Sequence, residues 1–244
     1  MFYCWQSRRE RYTVNIGKRL RKIRQACANE MPDQKQLALS DAAEWLGDWH
    51  PLAEQLGSAD GLVTLGSVTS LLRLPPVQDV PSLKQFLENY RTQLLLPFEL
   101  PAIQAAYGHA SRHELAELVA LDQQLGAERS LQPFAEPSRR VGRSQLQKLR
   151  PLRDLRVVQR YLQAVEAGEA QAWHTLVYGL TMAIYSLPLR QGLLGYAHQT
   201  TRSFIYSAAR VLQLSEKECR ELFDEHCADL PAAVGALLRQ EAAA

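Results

Sequence analysis

Residues 173–189 form a run of seventeen amino acids without a formal charge, from Trp173 to Leu189. A membrane-spanning helix needs about 20 apolar residues, and this run is shorter, is interrupted by Pro188 and carries polar side chains such as His174 and Thr181. A helix that is apolar on nearly all sides is typical of the centre of a helical protein. We therefore expect a helix buried in a helical bundle and no membrane span.

Helix-start signals recur along the chain. The sequences from Ser111 to Glu114 and from Ser215 to Glu218 match the capping box, in which the serine and glutamate oxygens each accept a backbone N–H at the start of a helix. Apolar residues follow each of them at steps of three and four. After Asp79 the same spacing is found at Leu83, Phe86, Leu87, Tyr90 and Leu94. We expect a helix to begin at each of these three points.

Strand signals are nearly absent, since only residues 62–68 qualify and they are few. Residues 57–66, 75–76 and 133–137 contain Gly or Pro at their ends and are predicted to be loops. Pro188 is expected in the first turn of a helix that follows the uncharged run. Given usual helix lengths, the sequence predicts an all-α bundle of about ten helices.

Charge is distributed unevenly along the chain. The net charge is +2, yet residues 1–28 hold eight basic side chains against a single acid, Glu10. A chain of 244 residues can bury a substantial core as one large domain. We therefore expect a basic N-terminal helix or arm, residues 1–35, followed by an all-helical domain, residues 36–244.

The cysteines indicate a reducing compartment. Cys4, Cys27, Cys219 and Cys227 form no dense framework and no Cys-x-x-Cys pair. The N-terminus lacks the charged start, apolar stretch and small-residue cleavage site of a signal peptide. We expect a cytoplasmic protein, with an Arg-rich targeting leader as the alternative.

Catalytic motifs are missing from the sequence. It has no P-loop, GxGxxG, HExxH or GxSxG sequence and no visible grouping of acid, base and nucleophile, so we expect no enzyme. Cys219, His226 and Cys227 share one helix face and could bind a soft metal together with a further ligand. Two buried cysteines beside an ordinary histidine are the alternative, which the usual burial of cysteine favours.

Two basic regions could meet partners. The N-terminal region could bind phosphates, but solvated helix faces and mobile arms are the commoner roles of such runs, and nucleic acid is not an expected partner. In residues 139–160 the only acid is Asp154. We call the basic residues there the basic ridge: Arg139, Arg140, Arg143, Lys148, Arg150, Arg153, Arg156 and Arg160. The ridge suits an acidic protein surface, and a solvated face is the equal alternative.

An ordered series of short segments resembles one family. Residues 79–107 resemble a family helix that ends in a D-L-P turn, and residues 138–146, S-R-R-V-G-R-S-Q-L, resemble A-S-R-R-M-G-R-x-L. Residues 174–179, H-T-L-V-Y-G, resemble H-P-V-V-F-G, and residues 193–210 hold L-L-G-Y and S-A-A-R where the family has L-L-A-Y and A-A-V-R-L. The family is urease accessory protein F, or UreF, and the resemblance runs from about residue 80 to the end.

The resemblance implies an all-helical, non-catalytic scaffold. UreF proteins bind the UreD/UreH protein, dimerise through helices and present a surface to the GTPase UreG, whose GTP hydrolysis is coupled to nickel transfer into apo-urease. It therefore implies a cytoplasmic homodimer that acts as a chaperone in nickel insertion, away from membranes. Nickel would reach urease through these partners, with no cofactor bound directly by this chain.

Residue roles follow from the matched segments. Arg139, Arg140, Arg143 and Arg210 would contact a partner, although Arg210 could instead form a buried pair within the dimer. Tyr196 is expected among the partner-binding residues, either at the dimer interface or in the core, with its hydroxyl paired.

Four further residues are expected to serve structure. Gly142, Gly179 and Gly195 would let helices approach closely, because a glycine within a helix otherwise costs up to about 1 kcal/mol, or they mark helix ends. His174, near the start of the buried helix, is expected to make a structural hydrogen bond rather than to bind nickel.

The chain departs from the family pattern in several places. Residues 39–49 keep only the start and one glycine of the loop D-S-x-L-P-V-G-G-F, and residues 213–216, Q-L-S-E, replace P-L-G-Q. Residues 134–138, F-A-E-P-S, stand in place of E-L-R-E-A-S, and Ala244 leaves little room for a partner-binding C-terminal tail. These changes fit a divergent member. They leave open a helical protein-interaction adaptor that has lost the urease role.

Overall fold

The computed structural model of the protein describes residues 76–242. The expected arm at residues 1–35, the candidate strand at 62–68, the loop at 57–66 and the altered loop at 39–49 lie outside the described residues. Within the described part the chain is helical and contains no β-strand, which confirms the all-α class. The expected total of about ten helices stays a prediction.

The helices follow one another closely along the chain. They are α1 (Val80–Tyr90), α2 (Leu100–Ser111), α3 (Leu115–Ala127), α4 (Gln132–Leu149), α5 (Arg156–Glu166), α6 (His174–Ile184), α7 (Leu189–Leu212), α8 (Glu216–Cys227) and α9 (Leu230–Ala242). A π-helical segment, Arg91–Glu99, joins α1 to α2, and a short 3-10 helix, Arg129–Leu131, precedes α4.

The start of α1 follows from its sequence. Asp79 accepts a hydrogen bond from the Ser82 backbone N–H at 2.9 Å, and the Ser82 hydroxyl oxygen accepts the Asp79 N–H at 3.1 Å, so the two form a capping box. The apolar positions of this helix face inward, and the ring of Phe86 meets the edge of Phe204 on α7 at a centroid distance of 5.1 Å. The predicted helix is therefore confirmed.

Of the two predicted Ser-x-x-Glu caps, one is confirmed and one is wrong. Ser215 caps α8 and forms a capping box with Glu218. Ser111 instead ends α2 and donates to the Tyr107 carbonyl at 2.8 Å. The Glu114 carboxylate accepts from Arg112 Nε at 2.8 Å, and Arg112, followed by His109, lowers the pKa of Glu114 to about 2. The local ion pair takes the carboxylate that the cap would need.

The predicted loop at residues 133–137 is wrong, because these residues form the first turns of α4. Pro133 lies in the first turn, where a missing N–H leaves no bond unmade. Pro137 lies further along and removes one hydrogen bond of the helix. The side chains of Ala135, Ser138 and Val141 are buried, and their packing holds the segment in the bundle.

The uncharged run lies in the core, as its composition predicts. Helix α6 begins at its second residue, His174, packs against α2 and α4, and is buried from His174 to Leu180. The run is divided after Ile184 by a turn, in which Ser186 has a φ of 52°. Pro188 is the N-cap of α7. Among the described residues we find no helix with the length and apolar character to cross a membrane.

Candidate functional site

A chain of polar side chains runs through the core beside α6. His174 Nδ1 lies 2.7 Å from the Ser138 hydroxyl on α4, and His174 Nε2 lies 2.7 Å from the Tyr196 hydroxyl on α7. All three side chains are buried. The Ser138 oxygen also accepts the His174 backbone N–H at 3.2 Å. Because the Tyr196 hydroxyl donates its proton to Glu99, the contact with His174 is a donation from Nε2–H to the Tyr196 oxygen.

The hydrogen-bonded chain of side chains continues from Tyr196 to a carboxylate. The Tyr196 hydroxyl donates to Glu99, at the end of the π-helical segment, and the Tyr90 hydroxyl donates to the same carboxylate at 2.5 Å. Burial and the nearby Glu99 raise the pKa of both tyrosines well above the ordinary value. Both hydroxyls therefore remain protonated donors, and the chain links the π-helical segment, α1, α4, α6 and α7.

A small cavity lies beside this chain. Its volume is about 30 Å³, and Glu99, Ser138 and His174 line it together with the apolar residues Phe98 and Leu125. A space of this size holds about one water molecule. The site is too small for a substrate, and its polar groups already bond one another, so the arrangement serves structure.

A second buried group holds the entry to α6. Asp122 on α3 accepts hydrogen bonds from the Tyr161 hydroxyl at 2.6 Å and from the backbone N–H groups of Gln171 and Ala172 at 2.7 and 2.9 Å. Ala172 has a φ of 61°, a left-handed conformation that an L-residue adopts only when its surroundings hold it there. Asp122 thus places the residues that lead into His174.

Two of the predicted close-packing glycines touch backbone of other elements. A Cβ on Gly142 would overlap the Ala172 carbonyl oxygen and lie 2.9 Å from the His174 nitrogen. A Cβ on Gly179 would lie 2.5 Å from the Ile103 carbonyl oxygen on α2. Both lie inside helices, not at helix ends. Gly195 is buried within α7.

The three arginines predicted on α4 do not share one environment. Arg139 is half-buried and stacks over the Trp173 ring, with its Cζ 5.4 Å from the centroid. Arg140 and Arg143 are exposed. Arg143 and Lys148 lie on the outer face of α4. Arg139 is therefore a packing residue, and the exposed basic residues around it form the surface.

The rest of the basic ridge is exposed around the turn between α4 and α5. Arg150 pairs with Glu166 at the end of α5. Arg153, Arg156 and Arg160 are exposed and make no ion pair with any residue in 76–242. The ridge therefore remains a positive surface, although Glu166 neutralises Arg150.

Tyr196 and Arg210 separate into core and surface. Tyr196 is 2% exposed, which corrects its inclusion among the partner-binding residues, because so small an area offers nothing to a partner. Its alternative place, in the core with its hydroxyl paired, is the one observed. Arg210 is exposed in the last turn of α7, where a positive side chain also interacts favourably with the helix dipole.

The candidate metal ligands on α8 are not grouped as a metal site within residues 76–242. Cys219 and Cys227 are free, buried thiols, and burial raises the pKa of the Cys227 thiol to about 12. Burial lowers the pKa of His226. Metal ligation needs a thiolate, which burial here disfavours. Among the described residues no group of three or more His, Cys, Asp or Glu side chains is placed to hold a metal ion.

Sequence reasoning missed three residues of the polar arrangement. Glu99 and Asp122 look like ordinary surface acids, and Ser138 like one more small residue of an arginine-rich segment. The available signal for Asp122 is its position, four residues after Leu118 and three before Leu125, on the apolar face of α3. No comparable signal marks Glu99, whose partners lie on other helices.

One known family covers most of the residues that the structure describes. A family model described as UreF matches residues 77–225, which is more than half of the chain and includes α1 to α7 and most of α8. No curated protein matches the chain.

Proposed function

The chain belongs to the UreF family of urease accessory proteins, and from this membership we propose that it is a non-catalytic scaffold for nickel insertion into apo-urease. In this proposal it acts in the cytoplasm as a homodimer. It binds the UreD/UreH homologue and presents a surface to the UreG homologue, whose GTP hydrolysis it modulates. Nickel passes through these partners.

The exposed part of the basic ridge carries the proposal. Arg140, Arg143, Lys148 and the arginines around the following turn face solvent. The polar groups of the core, by contrast, bond one another around a space of about 30 Å³. Interaction through a charged surface is therefore the chemistry that the molecule offers, and such a surface suits an acidic partner.

Charge reversal tests the ridge. We expect Arg143→Glu with Lys148→Glu to lower urease activation in cells about ten-fold, because two favourable contacts become repulsive. Lys217→Glu with Arg220→Glu, on the exposed face of α8, is the matched control and should leave activation unchanged. Full activation by the ridge variant, with both variants folded, would count against the ridge as the partner surface.

A direct assay separates the scaffold from an adaptor that has lost the urease role. The purified chain is added to the UreG homologue, and GTP hydrolysis is measured with and without the UreD/UreH homologue. The scaffold changes the rate at saturating concentration. An unchanged rate under both conditions favours the adaptor.

A further inference from the structure

An open groove lies between α3 and α5, away from the polar chain in the core. Its volume is about 660 Å³, and it is open to solvent along one side. We call its small and apolar lining residues the floor: Leu115, Ala116, Val119, Ala164 and Ala167. Its polar lining residues are Arg160, Gln163 and Glu169, which are exposed.

The shape of the groove suits a helix better than a small molecule. Binding pockets for small molecules enclose most of the ligand surface and place polar groups around it. Here one side is open, and the floor presents alanines at positions 116 and 167, which are exposed to solvent. Short side chains on the floor let a second backbone come close, as when an amphipathic helix lies in a groove between two others.

The arginines beside the groove indicate the charge that a bound partner would carry there. Arg160 lines the groove, and Arg156 lies one helical turn before it on α5. Arg153 lies in the turn before α5, next to Asp154. None of these three arginines has an ion-pair partner in residues 76–242. Glu169 is the single acid of the lining. The cations near α5 therefore remain available to an incoming acid.

We propose that this groove docks an amphipathic helix of a partner protein, whose apolar face covers the alanine floor and whose acidic side chains pair with Arg160 and the arginines before it. The proposal does not depend on the nickel-insertion role. It would hold equally for the adaptor.

Photo-crosslinking in cells tests the proposal. A photoreactive amino acid replaces Ala116 in the full chain, and the crosslinked segment is identified by mass spectrometry. We expect an amphipathic segment that contains acidic residues. A crosslink to a second copy of this chain, a segment without acids, or no crosslink would overturn the proposal.

The synthetic peptide of the crosslinked segment then measures the contribution of charge and shape. Its affinity for the full chain should fall at least about ten-fold with Arg160→Glu, because attraction becomes repulsion. Ala116→Arg should produce a similar loss by filling the floor. Arg190→Glu, an exposed arginine on α7, is the charge control and should change affinity by less than about two-fold. An unaltered affinity in the folded Arg160→Glu variant contradicts the proposal.

Discussion

Single residues decide how closely the elements of this protein approach. Gly142 leaves room for the carbonyl of Ala172, which Asp122 holds in a left-handed conformation. His174, two residues after Ala172, bonds Ser138, which lies one turn before Gly142 on α4. The segment of α4 that carries the family resemblance is thus a packing device as well as part of a basic surface.

Replacement of Gly142 by alanine should destabilise the protein. The added methyl group would meet backbone atoms of Ala172 and His174, which cannot rotate away, and we expect a loss of about 3 kcal/mol in the free energy of unfolding. Gly235→Ala is the control, because the nearest atom, on Arg239, lies 3.5 Å away. That change should be neutral or stabilise α9 by up to about 1 kcal/mol. Equal effects in urea denaturation would refute this account.

The hydroxyl of Tyr196 should contribute to stability through two bonds. Tyr196→Phe leaves the His174 Nε2 proton without its acceptor and removes a donor to Glu99, at an expected cost of about 1 to 3 kcal/mol. Tyr206→Phe, which removes a bond to the exposed Glu216, should cost less than about 0.5 kcal/mol. Chemical denaturation of both variants measures the difference. A neutral Tyr196→Phe would show that the buried chain does not stabilise the fold.

At the scale of elements, the same local sequence has two outcomes. Ser215 and Glu218 cap α8, whereas Ser111 ends α2 and Glu114 pairs with Arg112 and His109. The two sequences share the Ser-x-x-Glu pattern and differ in what surrounds them. A helix begins after both sequences, at Leu115 and at Glu216, so the pattern predicts the helix start in both cases. It predicts the serine cap only where no nearby cation takes the glutamate.

Alanine substitution of the two serines should separate these roles. Ser215→Ala removes the acceptor for the Glu218 N–H, and we expect a loss of about 1 kcal/mol. Ser111→Ala removes only a bond back to the Tyr107 carbonyl and should change stability by less than about 0.5 kcal/mol. The shift in the midpoint temperature of thermal unfolding compares the stability lost in the two variants. The reverse order would contradict the assigned caps.

The whole molecule should lose stability in alkaline solution. Burial raises the pKa of Tyr90, Tyr161, Tyr178 and Tyr196 well above the ordinary value of about 10. Above that pH the unfolded chain releases phenolic protons that the folded chain retains, so the free energy of unfolding falls as pH rises. These contributions are fully present below about pH 10. Denaturation at several pH values, with phenolate absorbance as the probe, checks this. Ionisation well before unfolding would contradict it.

Much of the fold was predictable because it depends on local pattern. Apolar spacing after Asp79 predicted α1, and the composition of residues 173–189 predicted a buried helix. The loop expected at residues 133–137 was wrong, because the packing of buried neighbouring side chains stabilises the helix by more than the hydrogen bond lost at Pro137 costs. Propensity is a weak signal when tertiary packing opposes it.

The sequence by itself determined the helical class, the central place of the uncharged run and, through short ordered segments, the family. These properties depend on periodicity and on residues close together in the chain. The tertiary structure alone decided that His174 bonds Ser138 and Tyr196, that Glu99 receives two tyrosine hydroxyls, and that an open groove lies between α3 and α5. Such contacts join residues far apart in the sequence, and their partners are chosen by how the helices pack.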